Sequence, residues 1–187
     1  MVLIQIIQYL GSLDIGILKA IYENRNPLLD STFVVITNSA GALAFGIPGI
    51  LLIIALLKKN TVLRRTALLM LIPVAISAIV ANILKYTMDL PRPYEIYPFI
   101  HKLSVGGSPS FPSGHTADVF AFATAAGLVF RKWYIIVPSL IWAVLVSYSR
   151  MSLGVHFPSD VLAGAMIGSL CSYVYYWYEK RKFLRSQ

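Results

Sequence analysis

Residues 42–57 read ALAFGIPGILLIIALL, and the lysines Lys58 and Lys59 follow immediately. This stretch is the most apolar part of a longer segment, residues 31–57. A helix needs about 20 apolar residues to cross a bilayer, so the segment predicts a transmembrane helix that ends at a basic surface. The chain of 187 residues is 57% hydrophobic and 13% charged, with a mean hydropathy of +0.71. Soluble domains are about 45–50% apolar and about 25% charged, so we expect an integral membrane protein with one domain, residues 1–187.

Four more apolar segments follow, separated by short basic or proline-rich stretches. Residues 90–112 hold five of the ten prolines, so we expect a loop there. Residues 2–23 place polar side chains between runs of Leu and Ile, which predicts an amphipathic helix in the membrane interface, with Gly11 as a point of breakage. A sixth span at the N-terminus is the alternative. The sequence therefore predicts an all-α integral membrane protein, in which a bundle of five transmembrane helices over residues 30–180 joins an N-terminal interfacial helix. The later spans are expected at residues 63–88, 113–130, 134–152 and 157–179.

The basic residues are distributed unevenly over the two ends of these helices. The formal net charge is +8, and ten of the sixteen Lys and Arg residues fall at one end. Basic loops stay on the cytoplasmic side, so we expect a multi-pass protein of the inner or plasma membrane and no nucleic-acid partner. The opposite end then faces the periplasmic or extracellular side. The ten residues are Lys58, Lys59, Arg64, Arg65, Arg131, Lys132, Lys180, Arg181, Lys182 and Arg185.

Three polar clusters interrupt the apolar sequence at this opposite end. They read KYTMDLPRP at residues 85–93, PSGH at residues 112–115 and SRMSLGVHFPSD at residues 149–160. Consecutive spans alternate in direction, so the end of one span and the start of the next lie on the same side of the membrane. We therefore expect the three clusters to meet.

The PSGH cluster lies where the loop passes into the third predicted span. Ser113 suits the position that caps a helix N-terminus, and Gly114 lets a ligand approach the backbone. The free N–H groups and partial positive charge of a helix start favour an anion, and His115 in the first turn would lie beside it. A simple turn before a membrane helix is the alternative.

The last cluster combines a histidine with a carboxylate. Pro158 suits the first position of a helix, which places His156 just outside the helix and Asp160 in its first turn. A carboxylate there can reach back to the preceding residues, as in a capping box. Asp160 can thus accept one imidazole N–H and leave the other ring nitrogen of His156 as a nucleophile. A capping Asp beside an unrelated surface His is the alternative.

Three cations flank the same region. Lys85 and Arg92 bracket the end of the second span, and Arg150 ends the fourth. Each one alone can be a side chain that extends to the membrane surface. Three cations converging with two histidines would instead stabilise the negative charge on the oxygens of a phosphoryl group in transfer. No His, Asp and Glu residues occur at metal-ligand spacing, so we expect no metal site.

The clusters occur in the order Lys-x6-Arg-Pro, Pro-Ser-Gly-His and Ser-Arg-x5-His-x3-Asp. In these motifs the chain resembles the type 2 phosphatidic acid phosphatase (PAP2) superfamily of lipid phosphatases. The resemblance implies a metal-independent phosphatase without a cofactor. In such an enzyme His156 attacks phosphorus to form a phosphohistidine, Asp160 orients it, and His115 protonates the leaving oxygen. The resemblance also implies a phosphate-binding set, which is Lys85, Arg92, Ser113, Gly114 and Arg150.

The expected substrate is a membrane lipid whose headgroup enters the site while its tails stay in the bilayer. By resemblance, undecaprenyl pyrophosphate is the first choice, with phosphatidate, phosphatidylglycerol phosphate and lipid A 1-phosphate as alternatives. A non-catalytic lipid-binding or transport protein is the alternative of another class. Gly164 and Gly168 form a small-xxx-small pattern that favours packing within the chain, so we expect a monomer or weak homodimer. Asp118 can form a hydrogen bond inside the bundle, and His101 is expected to be exposed.

Overall fold

The computed structural model describes residues 2–104 and 106–185, with side chains for residues 11–104 and 106–182. The described residues form seven α-helices and a short 3₁₀ turn at Pro27–Leu29. In chain order the helices are α1 (Val2–Glu23), α2 (Asp30–Leu57), α3 (Thr61–Met88), α4 (Pro93–Ile96), α5 (Gly114–Phe130), α6 (Trp133–Ser152) and α7 (Pro158–Arg185).

The five predicted apolar helices are confirmed as α2, α3, α5, α6 and α7. Judged by length and composition alone, three segments of the described chain are long and apolar enough to cross a membrane. They are Pro27–Leu57, Thr61–Ile96 and Trp133–Ser152. α5 is a shorter apolar helix of 17 residues, and α7 has 28 residues but is more polar and continues past its predicted end. The chain is an all-α membrane protein.

The central helix of the bundle is α5, which packs against α2, α3, α6 and α7. Its buried face is rich in alanine, and small residues let helix backbones approach closely in a membrane. The facing residues of α7 are also small. A Cβ added at Gly168 would overlap the carbonyl oxygen of Ala117, and one added at Gly164 would lie 3.1 Å from Cβ of Thr116. The small-xxx-small pattern therefore packs α7 against α5 within one chain, as the sequence favoured.

The N-terminal helix α1 is continuous, so the predicted break near Gly11 is wrong. A glycine inside a helix costs only about 1 kcal/mol relative to alanine, which the hydrogen bonds of a 22-residue helix offset. The second half of α1 packs against α6 and α7. Leu18 and Tyr22 are buried there together with Ile100 of the loop after α4. The second half of α1 thus contacts α6 and α7 near the turn that joins them, and its location in the membrane interface stays a prediction.

The antiparallel order of the long helices brings the polar clusters to one end of the bundle, here called the polar end. Lys85 lies in the last turn of α3 and Arg150 in the last turn of α6. Ser113 lies directly before α5, and Asp160 lies in the first turn of α7. Alternation of direction alone therefore accounts for the meeting of residues that are up to 75 positions apart in the sequence.

Candidate active site

His156 lies in the short turn between α6 and α7 and is 1% exposed. Its Nδ1 is 3.3 Å from Oδ2 of Asp160, and its Nε2 is 3.4 Å from Nη1 of Arg92. A guanidinium group only donates hydrogen bonds, so Nε2 carries the lone pair and Nδ1 carries the proton. This tautomer is assigned from the two partners of the ring. It leaves an unprotonated nitrogen beside a cation.

Asp160 is held by donors from several segments. Its Oδ2 accepts the N–H of Phe157 at 2.9 Å and the hydroxyl of Ser110, in addition to facing His156. The position of Asp160 in the first helical turn predicted a contact with the residues before the helix, and the bond from the N–H of Phe157 is such a contact. The backbone carbonyl of Asp160 accepts the N–H of Ser113 at 3.0 Å, which ties α7 to the start of α5. The carboxylate is therefore fixed in an orientation that can hold the imidazole.

Arg92 is buried against the same histidine. Its guanidinium donates to the carbonyl oxygens of Ser108 at 2.8 Å and Val155 at 2.9 Å, and to the hydroxyl of Ser108 at 3.3 Å. Gly106 makes room for this group, since a Cβ there would lie 2.7 Å from Nη1 of Arg92. The loop thus fixes the planar cation next to Nε2 of His156.

Lys85 and Arg150 are the other two cations of the polar end, and both are buried. The Nζ atom of Lys85 donates to the carbonyl oxygens of Pro109 at 2.7 Å and Ser110 at 3.3 Å. Nη1 of Arg150 donates to the hydroxyl of Thr37 on α2 at 2.7 Å. The two cations therefore project from different helices, α3 and α6, and the packing of the bundle sets the distance between them.

The start of α5 lies between these groups. Ser113 occupies the predicted N-cap position, but its side chain makes no capping bond and its Oγ accepts the hydroxyl of Thr116 at 2.9 Å. A Cβ added at Gly114 would lie 3.8 Å from Cε of Lys85, so the first helical residue faces the lysine. His115 follows in the first turn and is half-buried. The N–H groups of this helix start are available to an anion.

The electrostatics of the polar end favour a neutral imidazole at His156 and the binding of an anionic ligand. Burial lowers the pKa of His156 well below its ordinary value, and the nearby charges of Arg150, Arg92 and Lys85 lower it further. Among the described residues, Asp160 is the one fully buried carboxylate, whereas three cations are buried at the same end of the bundle. Buried charges are stable when they are balanced, so an anion would compensate the excess positive charge.

Residues 66–184 match the family model described as the PAP2 superfamily. They make up more than half of the chain and include all three polar clusters. The chain belongs to the PAP2 superfamily. Phosphatidylglycerophosphatase B of Bacillus subtilis (strain 168) is 35% identical over 171 residues, which cover 85% of this chain and 79% of that protein. The undecaprenyl-diphosphatase BcrC of the same strain is 31% identical over 166 residues, which cover 86% and 81%.

A solved structure has the same bundle. The crystal structure of Aquifex aeolicus LpxE has a TM-score of 0.76 and 29% sequence identity, and the match covers 87% of this chain and 94% of that chain. The chain spans a smaller part of four other curated PAP2 relatives, between 36% and 54% of their length.

The PAP2 motifs do not contain every residue that holds this site. Ser110 donates to Asp160, but a lone hydroxyl in a proline-rich loop carries no signal in the sequence. Thr37 accepts a hydrogen bond from Arg150. Its signal was a polar side chain within the apolar segment 31–57, where polar groups face the protein interior.

Two further predictions concern side chains around the PAP2 motifs. In the described part of the chain, Oδ1 of Asp118 is buried without a hydrogen-bond partner, and the hydrogen bond expected of this side chain stays a prediction. His101 is exposed, as predicted. Within residues 2–104 and 106–185, no three His, Cys, Asp or Glu side chains lie close enough together to hold a metal ion.

Proposed function

We propose that this PAP2 protein is a lipid phosphatase that hydrolyses a phosphomonoester or a diphosphate of a membrane lipid. The observation that carries the proposal is the burial of Lys85, Arg92 and Arg150 close to the neutral imidazole of His156. A phosphoryl group would balance these charges, and fixed Arg and Lys donors stabilise the charge that develops on its oxygens during transfer.

In the first step, Nε2 of His156 attacks the phosphorus atom. A P–N bond forms while the bond from phosphorus to the leaving oxygen breaks. The negative charge of the bound phosphoryl group favours a protonated His115, which gives its proton to that oxygen and becomes neutral. Nδ1–H stays bonded to Asp160, whose negative charge stabilises the positive phosphohistidine. The distance of 3.3 Å between Nδ1 and Oδ2 supports this role for the carboxylate.

In the second step, water attacks the phosphohistidine. His115 accepts a proton from the water, the P–N bond breaks, and inorganic phosphate leaves with His156 returned to its neutral form. The phosphoryl oxygens are held through both steps by the phosphate-binding set. That set is Lys85, Arg92, Arg150, the hydroxyl group of Ser113 and the backbone N–H group of Gly114.

The substrate is a lipid because the site lies at one end of a membrane bundle, where a headgroup can enter from the interface. Similarity to the Bacillus subtilis undecaprenyl-diphosphatase supports undecaprenyl pyrophosphate as the first choice. Similarity to phosphatidylglycerophosphatase B supports phosphatidylglycerol phosphate as the second.

The basic residues at the opposite end of the bundle support a site on the external side of the membrane. The small-residue face of α7 is used within the chain, which supports a monomer.

Phosphate release from detergent-solubilised protein tests the proposal. The panel contains undecaprenyl pyrophosphate, phosphatidylglycerol phosphate, phosphatidate and lipid A. The wild type should release phosphate from at least one of these lipids, and His156→Ala should reduce release by about a thousandfold or more. His101→Ala is the matched control, because His101 is an exposed histidine of the same end of the bundle. A folded His156→Ala variant with wild-type release would refute the assignment.

A further inference from the structure

The helix α1 contacts the polar end through Asp14. Oδ1 of Asp14 accepts the backbone N–H of Ser159 at 2.8 Å, and Oδ2 accepts the hydroxyl of Ser159 at 2.6 Å. Ser159 lies in the first turn of α7, directly before Asp160. The first N–H groups of a helix have no partner within the helix, and a negative charge at this terminus is favourable. Asp14 therefore caps α7 from another helix, 145 residues away in the sequence.

The start of α7 has no capping side chain at the residue that precedes it. Phe157 lies at this position, directly before Pro158, and its N–H donates to Oδ2 of Asp160. The same oxygen faces Nδ1 of His156. Asp160 thus serves the helix start and the histidine with one atom, so its orientation depends on where the first turn of α7 lies. Asp14 holds that turn.

A second contact of α1 supports the segment around His156. The hydroxyl of Tyr22 accepts the N–H of His101 at 2.8 Å and donates to its carbonyl at 3.4 Å. Gly154, at a φ of 71°, packs against the same segment, since a Cβ there would lie 2.6 Å from Cγ2 of Ile100 and 3.1 Å from Cε2 of Tyr22. The loop is thus held between α1 and the turn that carries His156.

We propose that Asp14 is a positioning residue for the reaction. Its carboxylate holds the first turn of α7 so that Oδ2 of Asp160 remains next to Nδ1 of His156. Asp14 and Tyr22 are about 12 Å apart along the helix axis, so α1 fixes both segments of the polar end at once. The catalytic part of this inference rests on the proposed function, whereas the contacts that carry it involve no substrate.

Three variants test the role of Asp14 in turnover. Asp14→Ala removes both acceptors of Ser159, and Asp14→Asn keeps one acceptor for its backbone N–H. Glu23→Ala is the matched control, because Glu23 is an exposed carboxylate of the same helix that pairs with Lys19. Loss of a helix cap should lower kcat about fivefold in Asp14→Ala with KM changed by less than about twofold. Asp14→Asn should recover most of the loss, and Glu23→Ala should match the wild type.

Two readouts that need no turnover accompany the kinetics. Amide hydrogen exchange of residues 153–161 should be faster in Asp14→Ala than in the wild type and unchanged in Glu23→Ala. The affinity for vanadate, measured by titration calorimetry, should be weaker in Asp14→Ala.

Unchanged hydrogen exchange in Asp14→Ala overturns the inference, and so does faster exchange with unchanged kcat. If the wild type hydrolyses none of the lipids, the proposed function fails, and exchange and vanadate affinity decide the role of Asp14 by themselves. Faster exchange with unchanged vanadate affinity then overturns it.

Discussion

Replacing Asp160 by Asn removes the negative charge beside His156 and preserves the shape of the side chain. The amide oxygen of Asn can still accept the N–H of Phe157, so the start of α7 retains its internal contact. What is lost is the electrostatic stabilisation of a positive imidazole. In the proposed mechanism, the imidazole becomes positive only when the P–N bond forms.

The size of the loss follows from the distance of 3.3 Å between Nδ1 and Oδ2. Two unit charges at this separation attract by about 5 kcal/mol when the effective dielectric constant is about 20. The neutral amide retains part of this stabilisation through its dipole, which leaves a loss of about 4 kcal/mol, or about a thousandfold in kcat. KM should not rise, because removal of a negative charge makes the cationic pocket more favourable for a phosphate.

Phosphate release at saturating lipid gives kcat, and its dependence on the mole fraction of lipid in the micelles gives KM. Ser110→Ala is the matched control, since it removes a neutral donor to the same oxygen of Asp160. A neutral hydrogen bond contributes about 1 kcal/mol, so this variant should lose less than about tenfold. The electrostatic role of Asp160 would be refuted by a kcat within tenfold of the wild type in the Asn variant, or by a loss that appears only in KM.

Three further predictions follow from the packing and the charges. Gly106→Ala should weaken vanadate affinity about tenfold, because a Cβ there displaces the guanidinium of Arg92; Gly107→Ala meets nothing within 4 Å and should have no effect. Equal affinity in the two variants would contradict this. Gly168→Ala should destabilise the protein by about 1–3 kcal/mol through overpacking of α5 against α7, and an unchanged melting temperature would contradict that packing. Because the pKa of His156 is lower in the folded than in the unfolded state, the unfolded state binds more protons below about pH 6.5 and stability should fall as pH decreases through that range. His156→Gln should make the pH dependence of thermal unfolding shallower, and an unchanged slope would exclude this histidine as its source.

The long helices and their shared polar end could be predicted from the sequence for a simple physical reason. The apolar length that a bilayer requires defines each span, and alternation of direction then places Lys85, Arg150 and Asp160 together. Local rules also predicted that Asp160, in the first helical turn, reaches back to the residues before the helix, and its carboxylate accepts the N–H of Phe157. These features depend on local composition and on the order of the elements.

The remaining contacts depend on where distant segments meet, which no local pattern encodes. The bonds from Ser110 to Asp160 and from Ser159 to Asp14 join residues that are 50 and 145 positions apart. The helix α1 stays continuous through Gly11 because its helical hydrogen bonds outweigh the weak intrinsic preference of glycine against a helix. The sequence shows that Asp118 lies in an apolar segment but not which groups face it, and Oδ1 of Asp118 has no hydrogen-bond partner among the described residues.

In the proposed mechanism His156 becomes covalently phosphorylated during turnover, and the site of the covalent phosphate tests this step most directly. The wild type is mixed with labelled lipid phosphate, quenched within milliseconds under alkaline conditions that preserve phosphohistidine, digested and analysed by mass spectrometry. The proposed mechanism predicts a phosphate group on His156 in a measurable fraction of molecules and none in His156→Ala. A phosphate on another residue, or turnover without any labelled protein, would contradict the mechanism.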